Sequence, residues 1–327
     1  MPKEILHNLY KLEIPLPRSP LKALNAYLIK GGRRSLLIDT GMQFPICRQT
    51  MLACLNKLGI DRANLDFFIT HLHADHLGLL QDLATPTSGI YFNRIEAAMI
   101  SSGQDERAKR WQSVHSYFKS NGFPETELKT ALAGHMGFRL QLDYSLSFKV
   151  LGEGDSLDAG DYHFTCIETP GHSPGHTCLY EASKKLLLSG DHILFDITPN
   201  ITFWPGVKNS LGDYLASLDK VYDLDIDMVL PGHRAAGSDH KKRIRELRKH
   251  HDARAEEILD CLQDGLKTAY DIAPHVTWDI VAKSWDEFPA PQKWFAVGET
   301  IAHLHYLEAA GKVQREIRGD TTLFSLA

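Results

Sequence analysis

Apolar and polar residues alternate from Leu9 to Ile14, three prolines between Pro15 and Pro20 interrupt the pattern, and Asn25 to Ile29 resumes it, so two strands are predicted there. Gly31-Gly32 then makes a hairpin turn into Ser35 to Asp39, closed by Thr40-Gly41. Over Ile46 to Leu58 the spacing becomes helical at Ile46, Met51, Leu52, Leu55 and Leu58, and Gly59 stops it. The mostly apolar run Leu65 to Ile69 reads as another strand, ending at Thr70, with a helix after it to about Leu83. Strands alternating with helices predict an α/β fold whose helices cover the sheet from outside.

A short strand, Ile90 to Phe92, precedes a long helical stretch from about Arg94 to Ala133, broken at Gly103 and again from Asn121-Gly122 to Pro124. Strands return at Phe148 to Leu151, near Ser156-Leu157, and over Tyr162 to Glu168, Cys178 to Tyr180 and Lys185 to Leu188. A helix over Asn209 to Leu224 and a strand over Asp227 to Leu230 close this part. Beyond it, Asp239 to Leu262 is a long charged helix and Ala269 to His275 and Ile280 to Trp285 are shorter helical pieces. Trp294 to Ala310 is a stronger helix, and Val313 to Ile317 and Thr322 to Leu326 form a terminal hairpin around Arg318-Gly319-Asp320-Thr321.

The chain has 327 residues, 43% hydrophobic and 24% charged, enough for one large domain and a small one. Its net charge of −5 offers no general attraction to nucleic acid or anionic membrane. From Lys241 onward 13 Lys and Arg face 14 Asp and Glu, leaving −1, so the tail is no basic module. Five widely spaced cysteines without a Cys-x-x-Cys pair argue against a disulfide framework and for buried thiols. Met1 to Leu16 has no apolar run of signal-peptide length and no stretch approaches a membrane span, so a cytoplasmic protein is expected.

The chemistry concentrates in Thr70-His71-Leu72-His73-Ala74-Asp75-His76-Leu77-Gly78, where three imidazoles and a carboxylate occupy six residues behind a strand. A loop leaving a stiff strand lets His71 and His73 turn to one point, while Asp75 and His76, at a helix start, face a second point nearby. Imidazole and carboxylate suit zinc, ferrous iron and manganese alike. Thr169-Pro170-Gly171-His172-Ser173-Pro174-Gly175-His176 is a tight loop at another strand end, and His172 or His176 can complete the first half-site. Ser189-Gly190-Asp191-His192 places a carboxylate at a strand end, able to reach between two cations. His192 points the other way and is the weaker candidate. Pro231-Gly232-His233 delivers a last histidine, which with Asp75, His76 and Asp191 closes the second half-site.

His-x-His-x-Asp-His, a downstream Thr-Pro-Gly-His, Asp191 and His233, in this order, resemble the metallo-β-lactamase superfamily over roughly the first 235 residues. The resemblance implies a four-layer αββα sandwich over residues 1–238, with 94–147 as a helical insertion and 239–327 as a winged-helix-like C-terminal domain. It favours His172 over His176 and makes His71, His73, Asp75, His76, His172, Asp191 and His233 the metal ligands of two divalent ions, zinc first, with iron or manganese as alternatives. Asp39 is placed beneath the metal loop as an orienting partner, the other reading being a plain carboxylate in a turn. The 95 residues between His76 and His172 exceed what compact relatives need, so the insertion is expected to arch over the site as a substrate cap. Its Trp111, Tyr117 and Phe118, with His115 and His135, line a pocket or, the favoured reading, pack helices. Phe195 and Trp204 fall where such proteins line the substrate mouth.

The implied activity is hydrolysis by a hydroxide bridging two metals, with Asp75 orienting it and taking its proton, on a thioester, lactone or other ester. A tail of helices and hairpin resembles the subgroup holding thioester hydrolases of polyketide pathways and a single-strand RNA endonuclease, which makes nuclease action an alternative. A mononuclear iron sulfur dioxygenase is another, while His73 argues against diiron oxygen reductases, which carry Glu there. β-Lactamase activity itself is disfavoured, since that branch is exported. The expected partner is a small acyl molecule, with membrane excluded, nucleic acid disfavoured, and a homodimer as a possible assembly.

Overall fold

The computed structural model describes residues 1–17, 19–141, 145–280 and 282–327. Among the described residues two sheets face each other. The first runs in the order β1 (Lys3–Leu6), β2 (Leu9–Pro15), β3 (Ala23–Ile29), β4 (Ser35–Ile38), β5 (Leu65–Phe68), β6 (Ile90–Asn93) and β7 (Lys149–Leu151). It is antiparallel up to β4 and parallel beyond. The second comprises β8 (Ser156–Ala159), β9 (Tyr162–Glu168), β10 (Thr177–Glu181), β11 (Leu186–Gly190) and β12 (Met228–Pro231), with β11 and β12 parallel.

Alternation within each strand sorts side chains between layers. Leu36 and Ile38 of β4 join Phe68, Phe164, Leu179 and Leu188 between the sheets, whereas Leu37 and Phe67 face outward. The outward set packs under α1 (Pro45–Lys57), α2 (Ala74–Leu77) and α3 (Leu80–Leu83) through Met51, Leu55, Leu77 and Leu80. The helix expected as far as Leu83 is two short ones because the 39–41 turn packs into it at Gly78. A Cβ there would stand 2.8 Å from Gly41 O, and Leu79 N–H donates to that carbonyl. The insertion forms α4 (Arg94–Ser101), α5 (Gly103–Ser120), α6 (Glu125–Gly134) and α7 (Met136–Arg139). On the far face, α8 (Ser210–Tyr222) and the first half of α9 (His240–Cys261) cover the second sheet, with Leu211, Tyr214, Leu218, Ile244 and Leu247 buried against Ile167, Leu187 and Val229. The layers are therefore helix, sheet, sheet, helix.

After α9 come α10 (Ala269–Ile272), α11 (Ala290–Ala309) and the antiparallel hairpin β13 (Val313–Arg318) and β14 (Thr321–Leu326). Over Ile280 to Trp285 the expected helix is absent among the described residues: Ala282 to Ser284 are irregular and one 3₁₀ turn begins only at Trp285, while Val281 lies outside the described residues. The 3₁₀ turn instead packs Trp285 against the cluster shared by the insertion and the C-terminal helices. The insertion and the C-terminal helices share one core, in which Phe118, Phe123, Leu128 and Ala131 pack with Ile258, Ile272, Trp294, Val297 and Ile301. Phe118 stacks on Trp294 at 3.8 Å, and Tyr117 on Phe203 at 4.1 Å. The aromatics of α5 thus serve helix packing, and His115 pairs with Glu125. Four of the cysteines are buried thiols and Cys261 is partly so. No helix among the described residues is long and apolar enough to cross a membrane.

Candidate metal centre

Loops leaving β5, β9, β11 and β12 all emerge at one edge of the sandwich. Parallel pairing sets Gly190 opposite Pro231, which brings Asp191 and His233 side by side. Gly232 is required there, since a Cβ would come within 2.5 Å of Asp191 Oδ1 and 2.9 Å of the His76 ring.

The seven expected donors meet at this edge. His71, His73 and His172 converge, with His73 Nδ1 2.9 Å from His71 Nε2 and 3.0 Å from His172 Nε2. Asp75, His76 and His233 form the second group, with His233 Nε2 3.2 Å from Asp75 Oδ2. Asp191 lies between the two, its Oδ2 3.4 Å from His233 Nε2 and 3.6 Å from His172 Nε2. Nitrogens bound to one tetrahedral zinc at about 2.0–2.1 Å stand roughly 3.3 Å apart, so the first triad has nearly the spacing of a ligand set.

The outer ring nitrogens are anchored by hydrogen bonds. His76 Nδ1–H donates to Asp39 at 2.7 Å, His172 Nδ1–H to Asn200 O at 2.8 Å and His233 Nδ1–H to Ala23 O at 2.8 Å. His71 Nδ1–H donates to Thr70 Oγ1, whose own hydroxyl donates to Asp39. Each bond fixes one proton on the outer nitrogen and makes the inward nitrogen the one that can meet a metal, with its lone pair free in His71 and His172 and freed by loss of a proton in His76 and His233. His76 Nε2, His233 Nε2 and Asp191 Oδ1 are buried without a hydrogen bond, a costly state in a dry site that a cation would relieve. The residues present therefore fit a pair of metal ions.

Asp39 has a larger part than an ordinary turn carboxylate. Held at φ +60°, it accepts from Thr70 N–H at 2.9 Å and from the Thr70 hydroxyl as well as from His76. His176 has its proton fixed elsewhere: its Nε2 accepts from Asp191 N–H and its Nδ1–H donates to Thr169 Oγ1. It supports the Asp191 loop, whereas His172 joins the donor cluster of His71 and His73. His192 turns toward Tyr214 in the α8 layer. Trp204 stacks over His73 at 5.8 Å and donates from Nε1 to His172 O, at the mouth of the centre. Phe195 does not share that place; its ring lies against Gly237 and joins the hydrophobic cluster under α8 and α9. Both belong to one loop, and only its return toward α11 decides which ring faces the site.

Charge divides the centre. Burial, with the neighbouring histidines, pushes the basicity of His71 far down, and burial brings that of His73 to about 3 and also lowers that of His172. Burial opposes protonation of His76 and His233 too, yet nearby carboxylates outweigh it, raising His76 well above its ordinary value and His233 to about 10. Asp75 and Asp191 stay ionised below the usual carboxylate range, because those cationic rings outweigh their burial. One residue without any motif completes the frame. Glu96 of α4, fully buried, accepts from Ser173 Oγ and from Gly175 N–H and so clamps the His172 loop; burial pushes its acid up to about 7. Nothing in the periodicity of α4 distinguishes Glu96 from a surface carboxylate.

Residues 21–233 match the family model of the metallo-beta-lactamase superfamily, and residues 255–324 match that of a metallo-beta-lactamase-like C-terminal domain. The chain belongs to the metallo-beta-lactamase superfamily. It is similar to the acyl-coenzyme A thioesterase MBLAC2 of Gallus gallus, 27% identical over 216 residues, covering 64% of this chain and 72% of that protein. It is also similar to the probable metallo-hydrolase YqjP of Bacillus subtilis, 25% identical over 309 residues, with 91% and 92% covered. Across these curated relatives and the lactamase-like protein aptB of Emericella nidulans, the chain spans 62% to 92% of the other protein's length. A solved metallo-beta-lactamase family protein from Thermus thermophilus superposes with a TM-score of 0.82 at 28% identity, over 99% of this chain and 100% of the other. Family, fold and the assembled donors make this member of the superfamily a metallo-hydrolase.

Proposed function

We propose that the protein hydrolyses a small acyl substrate, a thioester before a lactone or other ester, at a centre of two divalent ions, zinc first. The observation that carries the reading is the paired donor set that shares Asp191, with Trp204 laid across one of its rings. Two bound ions would supply Lewis acidity and a water acidic enough to attack near neutral pH. His71, His73 and His172 would hold one ion and Asp75, His76 and His233 the other, with Asp191 facing both. Asp75 remains a carboxylate and can orient the attacking water. Trp204, laid over His73, supplies an apolar wall for an acyl chain. Similarity to an acyl-coenzyme A thioesterase supports the thioester as first choice. The near-neutral tail and overall charge of −5 support a small molecule over RNA.

The test is metal analysis of protein purified without added metal, joined to a hydrolysis screen of acyl-coenzyme A thioesters, lactones and single-stranded RNA. About two metals per chain with thioester or ester turnover is the expected result. One iron without hydrolysis, or turnover of RNA alone, overturns the proposal.

A further inference from the structure

The loop that carries Trp204 is fastened at its other side to the C-terminal helices. The Asn200 carbonyl accepts from His172 Nδ1–H at 2.8 Å, while its side-chain amide donates to Glu299 Oε2 on α11 at 2.6 Å. Glu299 is paired through its other oxygen with Arg254 of α9, and both side chains are buried, at 4% and 7% exposure. Arg254 is itself fixed, donating to Thr277 O at 2.8 Å and lying 4.3 Å over the Trp278 ring. Three residues further along the loop, Phe203 N–H donates to Gly298 O, and Thr202 Oγ1 fills the space where a Cβ on Gly298 would stand, 2.2 Å away. The loop then turns back, and Trp204 donates to His172 O. His172 is thus gripped at its ring and at its backbone by a loop whose floor is α11.

A buried ion pair seldom stabilises a fold more than apolar residues of the same volume would. Its geometric use here is specific, because the pair fixes a carboxylate, the carboxylate fixes Asn200, and Asn200 sets the ring of a ligand histidine. His250 and His251 also approach Glu299, but the Arg254 guanidinium already sits on that carboxylate and a second cation beside it would be repelled. The cluster therefore reads as packing around the ion pair.

We infer that the C-terminal helices complete the metal centre from outside the catalytic sandwich, with Glu299, held by Arg254, acting as a positioning residue that orients His172 through Asn200. This rests on the reading of His172 as a metal ligand. Partners of this kind typically change metal affinity about 10- to 100-fold when lost.

The experiment uses the full chain, stripped of metal and titrated with Zn²⁺ against a chromophoric chelator and with Co²⁺ by visible absorption, alongside thermal melts. Glu299→Gln should weaken the tighter-bound Zn²⁺ about 10-fold or more and alter the cobalt spectrum. Asn200→Ala keeps the backbone carbonyl and the ion pair, and should give the same loss even if Glu299→Gln folds poorly. The double variant should lose no more than either single one. Leu304→Ala, a core change on α11 outside this chain of contacts, should lower the melting temperature and leave Zn²⁺ affinity unchanged. Wild-type affinity and spectrum in Asn200→Ala, or an equal loss of affinity in Leu304→Ala, overturns the inference. A wild-type chain that takes up no Zn²⁺ or Co²⁺ would instead overturn the reading of the centre itself.

Discussion

Asp39→Asn isolates the contribution of one carboxylate that touches no substrate. The substitution preserves shape, and asparagine accepts the φ of +60° at this position, so the turn is not strained. Its remaining carbonyl oxygen can keep the bond from Thr70 N–H, now 2.9 Å. The amide nitrogen then faces Thr70 Oγ1 and His76 Nδ1, where the carboxylate accepted at 2.8 and 2.7 Å. The hydroxyl can rotate to accept, but the His76 N–H meets a donor. The ring must give up its Nδ1 proton and keep the one on Nε2, the atom aimed into the centre, or swing away from it. A charge-assisted hydrogen bond lost in the interior costs about 1.5–3 kcal/mol, which is the expected fall in stability of the metal-free protein by urea unfolding. Metal affinity at the Asp75, His76 and His233 position should fall about 10- to 100-fold, equivalent to about 1.4–2.8 kcal/mol. Chelator competition with Zn²⁺ reads this directly, and the His71, His73 and His172 position, which Asp39 reaches only through Thr70, should lose less. An Asp39→Asn protein that binds two Zn²⁺ with wild-type affinities would refute the argument that Asp39 sets the His76 tautomer.

Three further outcomes are expected. Asp191→Ala should abolish turnover while leaving the far-ultraviolet circular dichroism unchanged, and full activity in a folded, metal-analysed variant would end its assignment between the two ions. In the metal-free protein His76 and His233 hold protons at neutral pH, so Zn²⁺ uptake at pH 7.5 should release about two protons, seen as a dependence of calorimetric heat on the buffer's ionisation enthalpy. Because both pKa values are raised, the stability that these rings give the metal-free form is complete below their ordinary value of 6.5 and is lost as pH rises through about 10 for His233, while Zn²⁺ affinity rises over the same interval. Phe118→Ala removes a fully buried ring stacked on Trp294 and should cost about 3–5 kcal/mol in urea unfolding, whereas a loss below about 1 kcal/mol would contradict a core shared by insertion and tail.

Much of the centre is legible in residue order because metal ligation is local chemistry. Neutral imidazoles and carboxylates set behind apolar strands can serve few other purposes, and the strands that mount them announce themselves by composition. His71, His73, Asp75, His76, His172, Asp191 and His233 are recognisable on that ground, as are the sheet strands and the long helices between them. The choice between His172 and His176 is different, since both sit in the same glycine-rich loop: the family resemblance favours His172, and the bond from Asp191 N–H to His176 Nε2 gives the second ring a supporting place.

The order of residues alone marked out the seven candidate donors and most of the strands and long helices, since both follow from side-chain type and short-range periodicity. Tertiary structure alone decided what holds those residues in place. Glu96 reaches the His172 loop across 77 positions of chain and Asn200 meets Glu299 across 99, separations over which no spacing rule operates. It also turned Trp204 toward the centre and Phe195 away from it, and joined the insertion to the C-terminal helices in one core. Those contacts depend on which surfaces meet once the two sheets have closed, and that is a property of the packed chain and of no local stretch of it.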